Sequence, residues 1–206
     1  MVNPYGYKEL FEALVNDWRK LWNLGDLPFF YVQLPNYCPW KQEPEVSGLA
    51  EIREAQRQIL RLPNTGMAVT IDVGMYNDLH PWDKKSVGER LALWALNRLF
   101  NEDIVYSGPI YDRMAVEGNR IRLYFNHVGS GLVVKGDKPE AFEICGKDGI
   151  FYPAEAEIED NCVIVCSKRV PEPTGVRYAW ADNPEKANLY NKEGLPASPF
   201  IANLFD

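Results

Sequence analysis

The chain holds two histidines, His80 and His127, so any imidazole chemistry falls to one of them. A histidine acting as a general base needs one ring nitrogen free for the nucleophile and the other held by an acceptor. His80 sits in the polar run Asp72-Val73-Gly74-Met75-Tyr76-Asn77-Asp78-Leu79-His80-Pro81, with Asp72 and Asp78 as candidate orienting acids. Pro81 restricts the backbone at His80. The competing reading is a capping residue ahead of a helix that begins at Asp83. His127 falls on an expected strand and reads as a packing or surface histidine.

No serine, cysteine or threonine occupies a strand-to-helix elbow or another activating context. Ser47, Ser86, Ser107, Ser130, Ser167 and Ser198 read as structural, Ser130 lying in a Gly-Ser-Gly turn. Metal-binding spacings of the EF-hand, zinc or His-Glu-His kinds are absent, and no cofactor is expected. Of the four cysteines, Cys162 and Cys166 share one face of a strand. At about 13 Å apart they are too distant to bond each other. Trp40 and Trp82 fall in loops, where an indole can stack on the apolar face of a sugar, whereas Trp18, Trp22 and Trp94 lie on helical stripes and read as core.

The elements that position these residues fall into two textures. Leu10, Phe11, Leu14, Val15, Trp18, Leu21 and Trp22 follow helical spacing between Tyr5 and Asn23, with Gly25 as the stop. A buried strand is expected over Pro28 to Leu34, a helix over Leu49 to Leu62, a second strand over Met67 to Asp72, and a helix from Asp83 with the stripe Val87, Leu91, Trp94, Ala95 and Leu99. Strands alternating with helices predict parallel pairing and place sites at the carboxyl ends of the strands, hence in the His80 loop. Beyond Asn101 the texture turns all-β. Strands are expected over Ile104 to Tyr111, Ala115 to Glu117, Arg120 to His127, Leu132 to Val134, Ala141 to Cys145, Ile150 to Ile158, Cys162 to Ser167 and Val176 to Trp180, with a hairpin at Gly118-Asn119. The tail from Ala181 to Asp206 shows no periodicity and is expected to wrap a surface.

The 206 residues with 46% hydrophobic content can bury a core without disulfide staples. A net charge of −7 with no basic cluster argues against nucleic acid as a partner. No run of apolar residues is long enough for a membrane span.

Taken together, Tyr5-Gly6-Tyr7-Lys8-Glu9-Leu10-Phe11, Asn16-Asp17-Trp18-Arg19, Arg53-Glu54-Ala55-Gln56-Arg57, Leu62-Pro63-Asn64-Thr65-Gly66-Met67-Ala68-Val69-Thr70-Ile71-Asp72, Asn77-Asp78-Leu79-His80-Pro81 and Val87-Gly88-Glu89-Arg90-Leu91-Ala92 resemble the carboxy-terminal half of sialate O-acetylesterases. Val105-Tyr106-Ser107-Gly108-Pro109, Val176-Arg177-Tyr178-Ala179-Trp180 and Leu195-Pro196-Ala197-Ser198-Pro199-Phe200 are similar to that family's closing β-rich segment.

The resemblance implies an α/β fold: residues 1–102 as the carboxy-terminal part of an SGNH-type, flavodoxin-like three-layer hydrolase domain, and residues 103–206 as a sandwich-like β-rich domain with an irregular tail. In such enzymes a serine attacks an acetyl ester on a sugar and a histidine serves as base and then acid. His80 matches that histidine. Asp78 stands two residues before it, whereas the common pattern puts the acid three before, at Asn77 here. The Gly-Gln-Ser-Asn type nucleophile motif has no match. The implied partners are an acetylated carbohydrate and the nucleophile-bearing amino-terminal portion of the same enzyme, and the resemblance suggests a secreted, periplasmic or lysosomal setting. A half sheet with an open edge also predicts self-association. The alternative function is a non-catalytic carbohydrate-binding or scaffold module.

Overall fold

The structure is a computed structural model that describes residues 6–41, 44 and 46–204. Tyr5, where the first helical pattern starts, lies outside them, as do Phe205 and Asp206 in the tail. The first half runs α1 (Tyr7–Trp22), β1 (Phe29–Val32), α2 (Gly48–Gln58), a 3₁₀ turn (Ile59–Arg61), β2 (Thr65–Ala68) and α3 (Lys84–Phe100). β1 and β2 pair in parallel, Phe29 opposite Thr65 through Val32 opposite Ala68. Helices cover both faces. Phe11 of α1 stacks edge-on against Phe29 and Tyr31, and the Tyr31 hydroxyl donates to the Gln56 carbonyl of α2. On the opposite face Trp94 of α3 meets Phe30 and donates its indole N–H to the Met67 carbonyl at 3.0 Å.

Side chains also cap the outer edges of this pair. The Gln56 amide accepts from Leu34 N and donates to Val32 O, and Arg90 donates to Val69 O. β2 ends earlier than its hydrophobic run predicts because the Thr70 hydroxyl, rather than a backbone N–H, takes the Gln33 carbonyl at 2.5 Å and turns the chain out of the ladder. α1 ends at Asn23, whose left-handed backbone (φ 51°) accommodates the turn two residues before Gly25.

The second half is antiparallel: β3 (Ile110–Glu117), β4 (Arg120–Asn126), β5 (Leu132–Val134), β6 (Phe142–Cys145), β7 (Phe151–Pro153), β8 (Glu155–Glu159), β9 (Cys162–Cys166), β10 (Gly175–Tyr178), β11 (Leu189–Asn191) and β12 (Phe200–Asn203). Two four-stranded sheets form, ordered β3-β4-β9-β8 and β12-β10-β6-β7, with a small β11-β5 pair. The expected strand over Ile150 to Ile158 divides at Ala154, because β7 pairs with β6 in one sheet and β8 with β9 in the other. Residues Ile104 to Pro109 precede β3 without joining a sheet. The Ser107 carbonyl is instead taken by the Asn191 side chain, and the Pro109 carbonyl by Ser198 N.

The tail from Ala181, expected to wrap a surface without periodicity, is built into the sheets instead. It is not irregular surface wrapping: it supplies β11 and β12, and Leu189, Tyr190, Asn191, Ala197, Ser198 and Phe200 are buried. Turn-rich composition hid two three- to four-residue strands too short to show alternation. Buried side chains from both halves form one cluster, with Tyr31, Ile59 and Met67 alongside Leu123, Val165, Tyr178 and Phe200. Trp18 and Trp22 are not core: with Leu10, Leu14 and Leu21 they stand exposed, while Val15 and Arg19 point inward. The apolar stripe is wider than the face that β1 covers.

Candidate active site

The chain leaves β2 through buried Val69 to Ile71 and enters the loop that carries His80. Asp72 anchors its start. Both carboxylate oxygens take Arg90 of α3 at 2.6 and 2.8 Å, and one also accepts the Tyr190 hydroxyl of β11 at 3.2 Å. Burial and then the neighbouring Asp72 carboxylate push the Tyr190 hydroxyl above its ordinary range, so it remains a donor. With both oxygens engaged this way, Asp72 serves as a bracket between α3 and the tail rather than as the acid beside His80.

Asp78 does lie beside it. A tight turn, with Asp78 N donating to the Met75 carbonyl, presents the carboxylate back toward the following residues. One oxygen accepts His80 N at 2.8 Å and stands 3.4 Å from His80 Nδ1, while the other accepts the Trp82 indole N–H at 3.4 Å. The backbone N–H of His80 is the main reason the Asp78 carboxyl sits below its usual range. It is therefore ionised at neutral pH and faces Nδ1, the geometry that favours an Nδ1–H tautomer and leaves Nε2 as the basic nitrogen. Nε2 has no hydrogen-bond partner among the described residues, and the imidazole is 86% exposed. Asp83 caps α3 three residues on, accepting from Ser86 N and Oγ.

Chemically the loop offers an exposed imidazole nitrogen with a carboxylate beside the ring's other nitrogen, and among the described residues no hydroxyl or thiol is bonded to it. Among the described residues no serine bonds to His80: Ser86 is occupied by Asp83, Ser47 by Asp182, and Ser198 by Pro199. Among the same residues no cluster of three or more His, Cys, Asp or Glu is placed to hold a metal ion, and no helix is long and apolar enough to cross a membrane. His127 lies away from this loop, packed edge-on between Trp94 and Tyr106. Trp82 is exposed beside Asp78, and Trp40 stands half-exposed on the loop after β1.

Sequence reasoning missed the residue that holds the two loops of this region together. Arg53 of α2 is fully buried, and its guanidinium donates to the carbonyls of Leu34 and Pro35, after β1, and of Ala181 and Asp182, in the tail, at 2.6–2.9 Å. Its position was a signal, since it lies four residues after Leu49 and three before Gln56, on the buried stripe of α2. Gln33 and Ser198, both fully buried, are joined by a 2.9 Å bond that links β1 to the tail.

No family model and no curated protein matches the chain. Among solved structures it is similar to the crystal structure of XAC1771, described as a novel carbohydrate acetylesterase from Xanthomonas citri, with a TM-score of 0.90 and 42% sequence identity. The match covers 96% of this chain and 46% of that one, so the chain spans about half the length of the enzyme it resembles. In fold and sequence, the chain is related to a carbohydrate acetylesterase.

Proposed function

We propose that the chain is the histidine-bearing part of a carbohydrate O-acetylesterase of the sialate O-acetylesterase, SGNH-type class, with His80 as general base and then acid, and Asp78 as its orienting carboxylate. The observation that carries this reading is the likeness, at 42% identity over nearly the whole chain, to a carbohydrate acetylesterase. The His80 loop, at the carboxyl end of a parallel strand pair, supports it. In the reaction a serine oxygen attacks the acetyl carbonyl while His80 Nε2 takes its proton. The protonated imidazole, stabilised by Asp78, then protonates the departing sugar oxygen, and water cleaves the acyl-enzyme by the same relay. Trp82 and Trp40 would border the sugar.

The serine comes from polypeptide equivalent to the part of XAC1771 that this chain does not cover. Two features support such a partner. Among the described residues no serine bonds to His80, and the exposed stripe of α1, in which Leu21 is 82% and Trp22 61% accessible, is the kind of apolar face that a further α/β layer buries. A chimaera of XAC1771 in which this chain replaces the segment it covers should release acetate from an acetylated sugar, whereas the chain alone should not. A silent but folded chimaera, or turnover by the chain alone, would overturn the reading. If the chain alone binds glycans and the chimaera stays silent, the carbohydrate-binding module is the better description.

A further inference from the structure

Among the described residues the hydrogen-bond partner of His80 is Asp78, two residues away in the same loop, and the imidazole is 86% exposed. With so little of the ring covered, its place is inherited from whatever holds the loop. Asp78 N donates to the Met75 carbonyl at 3.3 Å and an antiparallel bridge joins the same two residues, so 75–78 close a turn. The Asp78 carboxylate then takes His80 N at 2.8 Å. Met75 to His80 therefore move as one unit, and the root of that unit is Gly74.

Gly74 is held from another part of the fold. Asn36, in the loop after β1, accepts Gly74 N on Oδ1 at 2.7 Å and donates from Nδ2 to Asn183 Oδ1 at 3.1 Å. A side-chain carbon at position 74 would collide with both the backbone and the side chain of Asn36, so glycine is the residue that lets the two segments touch. Asn36 is itself fixed on both sides: the Pro35 carbonyl takes the buried Arg53 guanidinium at 2.6 Å, and Tyr37 N donates to the Asp182 carbonyl at 3.1 Å. Asp182, next to Asn183, also accepts from Arg53 at 2.9 Å, and its carboxylate takes the hydroxyl of Ser47, the cap of α2. A continuous set of bonds thus runs from α2 through Asn36 to the root of the histidine unit.

The other two anchors sit at the ends of the loop. Asp72 is held by Arg90 and Tyr190, and Asp83 caps α3. Two fixed ends leave a loop free to rotate about the line that joins them, and a third attachment between the ends removes that freedom. Misplacing a reacting group by about 1 Å can cost about 10²-fold in rate, so such a freedom would be felt in catalysis.

We propose that Asn36 is a positioning residue for His80: acting through Gly74 it fixes where Nε2 stands, and through Asn183 it ties that position to the tail. The ordering of the loop is a property of this chain, whereas its effect on turnover rests on the esterase reading. Asn36→Leu keeps the shape and removes both amide bonds, and Gly74→Ala forces the segments apart with Asn36 intact. Asn36→Asp keeps one oxygen for Gly74 N and offers the other to Asn183 Nδ2 once that amide turns over. Nitrogen-15 relaxation of the chain alone should give order parameters of about 0.85 over residues 75–80 in the native and Asn36→Asp proteins. In Asn36→Leu and Gly74→Ala they should fall below about 0.6, with β4 and β9 unchanged. In the XAC1771 chimaera the same two substitutions should each lower kcat about 10²-fold with KM held to within about threefold, and Asn36→Asp should stay within about threefold of native. A native loop already below about 0.6, a loop still ordered in both Asn36→Leu and Gly74→Ala, or order lost in both throughout the sheets would overturn the proposal. So would a chimaera that keeps its kcat in both variants yet loses it in His80→Ala. A silent chimaera counts against the esterase reading alone, because the relaxation data still decide the positioning.

Discussion

Replacing Arg53 by Met keeps an unbranched apolar stem and removes the guanidinium from a position that is fully buried. Four carbonyls, of Leu34, Pro35, Ala181 and Asp182, then lose donors at 2.9, 2.6, 2.7 and 2.9 Å. Each buried acceptor left unmet costs about 1–3 kcal/mol, and removing the cation returns part of its desolvation penalty. The net expectation is about 3–5 kcal/mol, the range measured when a buried charged network is broken by removing one member. Burial draws the guanidinium down only to about 10, so it is charged at neutral pH and all four bonds are charge-assisted. Against a total stability of about 5–15 kcal/mol, such a loss should lower the urea midpoint by about 2 M for a slope near 2 kcal/mol/M. Arg53→Lys retains the charge but not the planar fork, and should fall between the two. A shift below about 0.5 M for Arg53→Met would refute the clamp.

Burial, and then Arg98, hold the His127 imidazole below its ordinary 6.5, so the unfolded chain takes that proton first and stability falls as pH drops below 6.5 until the folded-state value is passed. Thermal midpoints at about pH 7.5 and about pH 5.5 should therefore differ more in the native chain than in His127→Asn, which suits the left-handed backbone there. Gly66→Ala would set a carbon 2.6 Å from the Trp94 ring and 2.8 Å from Phe30. Overpacking of this kind costs about 1–3 kcal/mol, read by denaturant unfolding. Leu21→Asp with Trp22→Ser should change the stability of the isolated chain by less than about 0.5 kcal/mol each, yet destabilise the acetylesterase chimaera by several times that in thermal unfolding.

Period and punctuation made the α/β half legible. The alternation of helical stripes with short apolar runs located α1, β1, α2, β2 and α3, and the same logic put His80 in the loop after β2. What escaped was set by tertiary pairing. Thr70 cuts β2 short through its hydroxyl, Ala154 divides one apolar run between two sheets, and the tail strands β11 and β12 are too short for alternation to register. At the site, Asp72 and Asp78 looked equivalent in sequence. Only the fold brings Arg90 and Tyr190, 18 and 118 residues from Asp72, onto its carboxylate and leaves Asp78 with His80. Trp18 and Trp22 look like core in any helical wheel, because periodicity reports that a face is apolar and not what covers it.

The role of His80 is tested most directly in the XAC1771 chimaera carrying this chain, by measuring acetate release before and after His80→Ala. The side chain is 86% exposed and donates nothing to the core, so the substitution should leave the unfolding midpoint in place. The expected loss in kcat is about 10⁴-fold or more, the scale on which serine hydrolases respond to removal of their base. A variant that keeps its activity to within about tenfold would contradict it.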